Sequence, residues 1–298
     1  MKNGEAEAWL RNRLETIYDP AESAAIAAVA LEHVTGSARG ERALRREEPL
    51  TPEEAAKLEE TVKRLLNQEP IQYISGKAWF YGLELYVDPS VLIPRPETEE
   101  LVDWIVKDLL ELGLPVFDKK DTEADVTSLL KILDVGTGSG CIALALKSKM
   151  PRAEVWGCDL SEEALNVARR NGSGNNIRVD FQGVDFLDEA QQRLLPSVDV
   201  LVSNPPYIPL KDKATMHANV LNWEPHTALF VPDNDALLFY RAIAAFAKKR
   251  LHPGGCIYLE IHEDLGDAVT QLFTEEGYPA VEVRKDMQGK DRMVRVIC

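Results

Sequence analysis

From Lys131 onward, short apolar runs alternate with amphipathic stretches, and this alternation restricts the chain to few architectures. Residues 132–135, 154–158, 177–181, 198–203 and 256–261 read as strands, being short apolar or β-branched runs. Residues 141–149, 161–171 and 236–250 between them carry apolar positions at helical spacing. Strands and helices in this order predict an α/β fold with a mostly parallel sheet covered by helices on both faces. Residues 292–297 read as a last strand, antiparallel at the sheet edge.

The upstream residues follow another pattern. Asp19-Pro20 has the form of an N-cap followed by Pro at the first helical position, and Thr51-Pro52-Glu53-Glu54 repeats it with a capping glutamate. Ala55, Leu58, Val62, Leu65 and Leu66 then recur at helical spacing. Residues 1–68 are therefore expected to form a small helical domain. Residues 69–94, with aromatic and β-branched runs broken by Gly76, Gly82 and Pro89, are expected to form a hairpin linker, and 95–298 the α/β domain. Arg95-Pro96-Glu97-Thr98-Glu99 opens a helix whose apolar face includes Leu101, Val102, Ile105 and Leu109. The charged stretch 118–127 reads as an exposed loop.

At 298 residues and 45% apolar content the chain can bury the core of two domains. Cys141, Cys158, Cys256 and Cys298 are scattered, with no CxxC pair, which argues against a disulfide framework and a zinc site and predicts a reducing, cytoplasmic setting. The N-terminus lacks a basic segment leading into an apolar one, so secretion is not expected. The Ala-rich run 24–31 falls short of the roughly 20 residues that span a bilayer. A net charge of −15 weighs against a large nucleic-acid surface, whose affinity comes from clustered Lys and Arg.

Three strand ends carry polar residues suited to a nucleoside. Gly136-Thr137-Gly138-Ser139-Gly140 lies between the first strand and its helix, where doubly wound folds bind ligands. Its GxGxG spacing departs from the dinucleotide GxGxxG and suits a ligand smaller than a pyrophosphate. Asp159, 25 positions after Asp134, can accept from ribose hydroxyls and also has the form of an N-cap. Asp185-Phe186 offers a carboxylate for an adenine amino group and a ring for the base. The alternative there is a loop Asp beside a core Phe.

Asn204-Pro205-Pro206-Tyr207 follows the apolar strand 198–203. Two prolines stiffen the turn and leave carbonyl oxygens free to accept, so Asn204 and Pro205 can grip a planar NH2 group while Tyr207 lies against its plane. The bland alternative is a strand-terminating Pro turn. Asn204 is also expected to face the reacting end of the cofactor. No His adjoins the clamp in sequence, His217 and His226 being the nearest.

These strand ends resemble those of the S-adenosylmethionine-dependent methyltransferases with a seven-stranded Rossmann-like sheet. More narrowly, Glu69-Pro70-Ile71-Gln72-Tyr73-Ile74-Ser75-Gly76, Val91-Leu92-Ile93-Pro94-Arg95-Pro96-Glu97-Thr98-Glu99, Trp223-Glu224-Pro225-His226-Thr227-Ala228-Leu229 and Asp286-Met287-Gln288-Gly289-Lys290-Asp291-Arg292 resemble the release-factor glutamine methyltransferases of the HemK type. The resemblance implies S-adenosyl-L-methionine as methyl donor and methylation of N5 of a glutamine, in the GGQ motif of peptide-chain release factors. Substrate recognition is expected of the N-terminal helices, and Arg95, Glu97 and Glu224 are candidates to brace the clamp or the cofactor, a salt-bridged supporting role being the alternative. His262 stands where that family has Gly, and 118–127 looks longer than the family's link. Methylation of exocyclic amino groups on DNA or RNA bases, and a non-catalytic module docking on translation factors, remain the alternatives.

Overall fold

The structure, a computed structural model, describes residues 1–111 and 129–298, so the 118–127 stretch lies outside the described residues. Two compact units divide the chain: Met1–Lys77 with His217–Trp223, and Ala78–Met216 with Glu224–Cys298.

The first unit is helical, with helices Asn3–Leu14, Pro20–Thr35, Arg39–Leu44, Pro52–Leu66 and Ile71–Ser75. Asp19 starts the second of these by accepting from the Ala21 and Glu22 N–H groups at 2.8 and 2.9 Å. Thr51 Oγ1 accepts from Glu54 N–H at 3.1 Å while Glu54 Oε2 accepts from Thr51 N–H at 2.7 Å, which satisfies two otherwise orphaned donors. Ala6, Leu10, Leu14, Ala27, Ala30, Leu31, Leu58 and Leu65 form the centre of its core. The segment expected to begin a hairpin is a helical turn over Ile71–Ser75, because Pro70 opens it and Gly76, at φ 67°, closes it in the left-handed conformation.

The second unit begins with the hairpin itself, β1 (Ala78–Phe80) and β2 (Leu83–Leu85). Strands β3 (Lys131–Val135), β4 (Glu154–Asp159), β5 (Asp180–Gly183) and β6 (Val198–Ser203) follow. After a short pair, β7 (Ile208–Pro209) and β8 (Phe230–Val231), come β9 (Leu251–Glu260), β10 (Ala280–Lys285) and β11 (Asp291–Ile297). The main sheet has the order β10-β11-β9-β6-β3-β4-β5, and only β11 runs against the other strands. β11 is antiparallel as expected, yet it does not lie at the edge. β10, missed in the sequence, takes that place; its Glu282, Arg284 and Lys285 suit a solvated edge that must not recruit another strand. β5 lies two to three residues later than expected, since the backbone of Asp180 to Gly183 pairs with β4.

Alternation along the strands divides the core. Ile132, Val200, Val202 and Tyr258 pack on one face with Leu101, Ile105 and Leu144, whereas Leu133, Leu201, Ile257 and Leu259 pack on the other with Tyr240, Phe246 and Phe273. Among the described residues no helix is long and apolar enough to cross a membrane. Thr51→Ala is expected to destabilise the helical unit by about 1 kcal/mol, while Thr51→Ser keeps most of the stability. Chemical denaturation of the full chain reads both, and equal stability of all three forms would dismiss the cap.

Candidate active site

The parallel register brings β3, β4, β6 and β9 to one carboxyl edge: Val135 pairs with Cys158 and with Ser203, and Ser203 pairs with Leu259. The chain leaves β3 through Gly136, Gly138 and Gly140 at φ 71°, 53° and 80°, a region that favours glycine. A Cβ at Gly136 or Gly138 would meet nothing within 4 Å, whereas one at Gly140 would approach Ala168 and Phe181 at 3.1 Å. The first two glycines thus border open space, and the third packs against helix Glu162–Gly174. Gly136 and Thr137 N–H donate to the Cys158 carbonyl at 2.9 Å, and Gly140 N–H to the Thr137 carbonyl at 2.8 Å, so the loop holds its own shape.

Asp159 ties this loop to β4, accepting from Gly138 N–H through Oδ2 and from Ser161 N–H through Oδ1, each at 2.9 Å. It is not the helix N-cap. Ser161 fills that place, its hydroxyl accepting from Ala164 N–H at 3.1 Å. Beneath the loop, Asp134 Oδ2 accepts from the Thr137 hydroxyl at 2.6 Å and from Ala143 N–H at 3.2 Å, while Oδ1 has no partner among the described residues. Burial pushes the Asp134 carboxyl up to about 7 against the pull of those two bonds, and burial likewise raises Asp159. Ser139 presents its carbonyl to Asn171 Nδ2 at 2.9 Å, and the same amide holds Tyr86 through two bonds.

After β5, Asp185 Oδ1 accepts from Leu187 N–H at 2.9 Å. Phe186 is 5% exposed and packs against Phe246 with centroids 5.2 Å apart. Its ring therefore fills the core beside helix Leu238–Arg250 and has no free face for a base. The core alternative thus describes Phe186.

Asn204, at the end of β6, donates through Nδ2 to Thr98 Oγ1 at 3.0 Å, and Thr98 Oγ1 donates to Glu260 Oε2 at 2.6 Å. Tyr207 donates to the other oxygen of Glu260 at 3.3 Å. Pro205 is buried, whereas Pro206 and Tyr207 are half-buried. Burial pushes Glu260 up to about 7, opposed by the Thr98 bond, the Arg292 charge and the Tyr207 bond. Burial, and then the Glu260 charge, raise the Tyr207 hydroxyl in turn. The Tyr207 ring meets the edge of His262 at 6.0 Å, so the fold brings beside the clamp a His that is distant from it in sequence.

Arg95 pairs with Glu224 at 2.5 Å, and Glu224 Oε2 accepts from Ile93 N–H at 3.2 Å. The pair thus fastens the segment before helix Pro96–Glu111. Glu97 accepts from Gln288 Nε2 at 3.5 Å and adds negative charge near Glu260. The sequence assigns no role to Thr98, Glu260 or Arg292, although Thr98 and Arg292 stand in motifs that carry the family resemblance. A glutamate ending the apolar strand Ile257-Tyr258-Leu259 was the available signal, since a buried carboxylate needs partners. Among the described residues no cluster of His, Cys, Asp and Glu is suited to a metal ion.

Comparison with known proteins places these features in context. The family model for the methyltransferase small domain matches residues 121–223, and that for the PrmC N-terminal domain matches residues 5–76. The release factor glutamine methyltransferase of Bacteroides thetaiotaomicron is 40% identical over 287 residues, covering 96% of this chain and 97% of that protein. The enzyme of the same name from Flavobacterium psychrophilum is 42% identical over 240 residues, 80% of this chain and 79% of that one. In fold, the chain matches the hMettl16 catalytic domain solved with the MAT2A 3'UTR hairpin 6, with a TM-score of 0.53 at 18% identity over 83% of this chain and 81% of that one.

Between their ordinary values of 3.8 and 4.5 and about pH 7, Asp134 and Glu260 hold protons in the folded state that the unfolded chain has released. Their contribution to stability is therefore full below those values and is lost as pH rises through about 7. Asp134→Asn should flatten part of this decline in melting temperature between pH 5 and 8, as scanned on the ligand-free protein. An unchanged slope would show that Asp134 is ionised throughout.

Proposed function

The chain belongs to the release factor glutamine methyltransferase family, and from that premise we propose that it methylates N5 of a glutamine side chain, in the GGQ motif of peptide-chain release factors, using S-adenosyl-L-methionine. The observation that carries the reading is the Asn204 clamp at the carboxyl edge of β6, next to a glycine loop bordered by open space.

The residues fit the cofactor. Gly136 and Gly138 leave a cradle that a Cβ would fill, and above about pH 7 the Asp134 carboxylate beneath the loop supplies negative charge toward a cationic ligand. Asp159 keeps lone pairs beyond its backbone bonds for ribose hydroxyls, and Asp185, one of whose oxygens accepts from Leu187 N–H, would accept from an adenine amino group through the other. Thr137, Ser139 and Gly140 shape the loop from within. The exposed Leu160 and Leu187, each one or two residues past these carboxylates, offer apolar cover to a base. Bound there, S-adenosyl-L-methionine supplies an electrophilic sulfonium methyl group.

An amide nitrogen is a poor nucleophile, because its lone pair is delocalised into the carbonyl. Asn204 Oδ1 and the Pro205 carbonyl accept the two N–H bonds of the substrate amide, which aims the nitrogen and favours the positive charge it develops. Pro206 keeps the turn rigid, and Tyr207 holds the amide plane by contact. The product nitrogen sheds its proton afterwards, so no general base is required. Arg95 and Glu224 hold the segment before helix Pro96–Glu111, and the N-terminal helical unit recognises the release factor.

Purified protein incubated with methyl-labelled S-adenosyl-L-methionine and, separately, release factor, duplex DNA and ribosomal RNA should place label on a release-factor glutamine, located by mass spectrometry. Label on nucleic acid alone would reject this reading. Asn204→Ala should lower kcat by roughly 100-fold or more while changing cofactor affinity far less, and equal losses in both would reassign Asn204 to cofactor binding.

A further inference from the structure

Asn204 serves the clamp only if its carboxamide presents oxygen, not NH2, to the substrate. The two ends of a carboxamide have nearly the same shape, so sterics alone choose poorly between them. Their surroundings supply the choice. Thr98 Oγ1 lies 3.0 Å from one end of the Asn204 amide and 2.6 Å from Glu260 Oε2, and both Thr98 and Glu260 are 2% exposed, away from competing water.

We propose that Glu260 and Thr98 are positioning residues that set which end of the Asn204 carboxamide faces the substrate. An ionised carboxylate only accepts, so the single Thr98 hydroxyl hydrogen must go to Glu260. Thr98 Oγ1 is then left as an acceptor, which draws Asn204 Nδ2 and turns Oδ1 toward the substrate. A rotated Asn204 would set its oxygen against a hydroxyl oxygen with no hydrogen to offer, a buried lone-pair clash. Tyr207 donates to the other carboxylate oxygen at 3.3 Å, so the same glutamate anchors both ends of the clamp.

Protonated Glu260 loses this control. The carboxylic acid can donate to Thr98 Oγ1, the Thr98 hydrogen is released toward Asn204, and the rotated amide becomes acceptable. It then presents NH2 to the substrate NH2, donor against donor, and the clamp fails. The groups facing Glu260 set where this occurs. Thr98 and Glu97 approach from helix Pro96–Glu111, Tyr207 from the clamp and Arg292, itself paired with Asp286 at 3.2 Å, from β11. The Tyr240 hydroxyl binds the Glu260 carbonyl at 3.1 Å from helix Leu238–Arg250, Cys141 lies within its field, and His262 is two residues along the chain beside Tyr207. Burial outweighs Arg292 and holds the carboxyl at about 7, within the range where an enzyme works.

The proposal rests on the methyl-transfer reading, and the experiment separates the two. Wild type, Glu260→Gln, Thr98→Val and Thr98→Ser are assayed for methyl transfer to release factor at saturating S-adenosyl-L-methionine from pH 5.5 to 9. If wild type transfers nothing to release factor, the function itself fails. If it does, its kcat should fall on an acidic limb near pH 7 that Glu260→Gln abolishes, because a neutral amide can both donate to and accept from Thr98. Glu260→Gln and Thr98→Val should each lose roughly 10- to 100-fold in kcat at pH 8, with little change in cofactor KM. Thr98→Ser, which keeps the hydroxyl, should restore most of the rate. The double variant should lose no more than either single one, since both break the same relay.

An activity-independent reading comes from NMR of the ligand-free chain. The Asn204 side-chain NH2 signals, assigned by their loss in Asn204→Ala, should shift with the same midpoint as the Glu260 side-chain carbon. Asn204 signals that ignore the Glu260 titration would overturn the proposal. So would additive losses in the double variant, or an acidic limb that survives in Glu260→Gln and thereby belongs to Asp134.

Discussion

The register of the parallel strands is the constraint on which the rest of this protein depends. Pairing Val135 with Ser203 and Ser203 with Leu259 puts the residues that follow these pairs, Gly136, Asn204 and Glu260, at one edge of the sheet. A slip of one residue in any strand would turn its apolar set from one core face to the other, so burial of Ile132, Leu133, Val200 and Leu201 enforces the register. The site's geometry is thus a by-product of core packing. Glycines at 136, 138 and 140 then let the chain leave β3 in a conformation that other residues adopt at a cost.

Two buried carboxylates stand at this edge and differ in how they are satisfied. Glu260 engages both oxygens, one with Thr98 and one with Tyr207. Asp134 engages one oxygen twice and leaves the other without a partner among the described residues. Burying an unpaired carboxylate opposes folding, and such costs concentrate at sites where charge has work to do. In the proposed function, Asp134 beneath the glycine loop would face the cationic methyl donor and Glu260 behind Asn204 the substrate amide.

Much of the fold was legible in local patterns. The caps at Asp19 and Thr51, the helix from Pro96 and the strand Val198–Ser203 obey rules that act within a few residues, and they stand where those rules put them. The misreadings share a cause. Ile71–Ser75 carries Ile71, Tyr73 and Ile74, residue types that favour strands, but is bracketed by Pro70 and Gly76, whose turn chemistry overrides them. β10 is half polar because it lies at an edge, so its weak apolar signal was a consequence of a position that only the sheet defines. Phe186 was read toward the ligand because of its neighbour Asp185, while Phe246, distant in sequence, draws its ring into the core.

The sequence alone determined the class of architecture, the place of the glycine loop and the Asn-Pro-Pro-Tyr turn at a strand end, since alternation, glycine conformational freedom and proline rigidity are local properties. The tertiary structure decided what holds Asn204. Thr98 and Glu260 are separated from Asn204 by 106 and 56 positions and meet it only through sheet register and helix packing. No local rule reveals which hydroxyl gives its hydrogen to which oxygen, because hydrogen-bond direction is settled by all the partners that burial brings together.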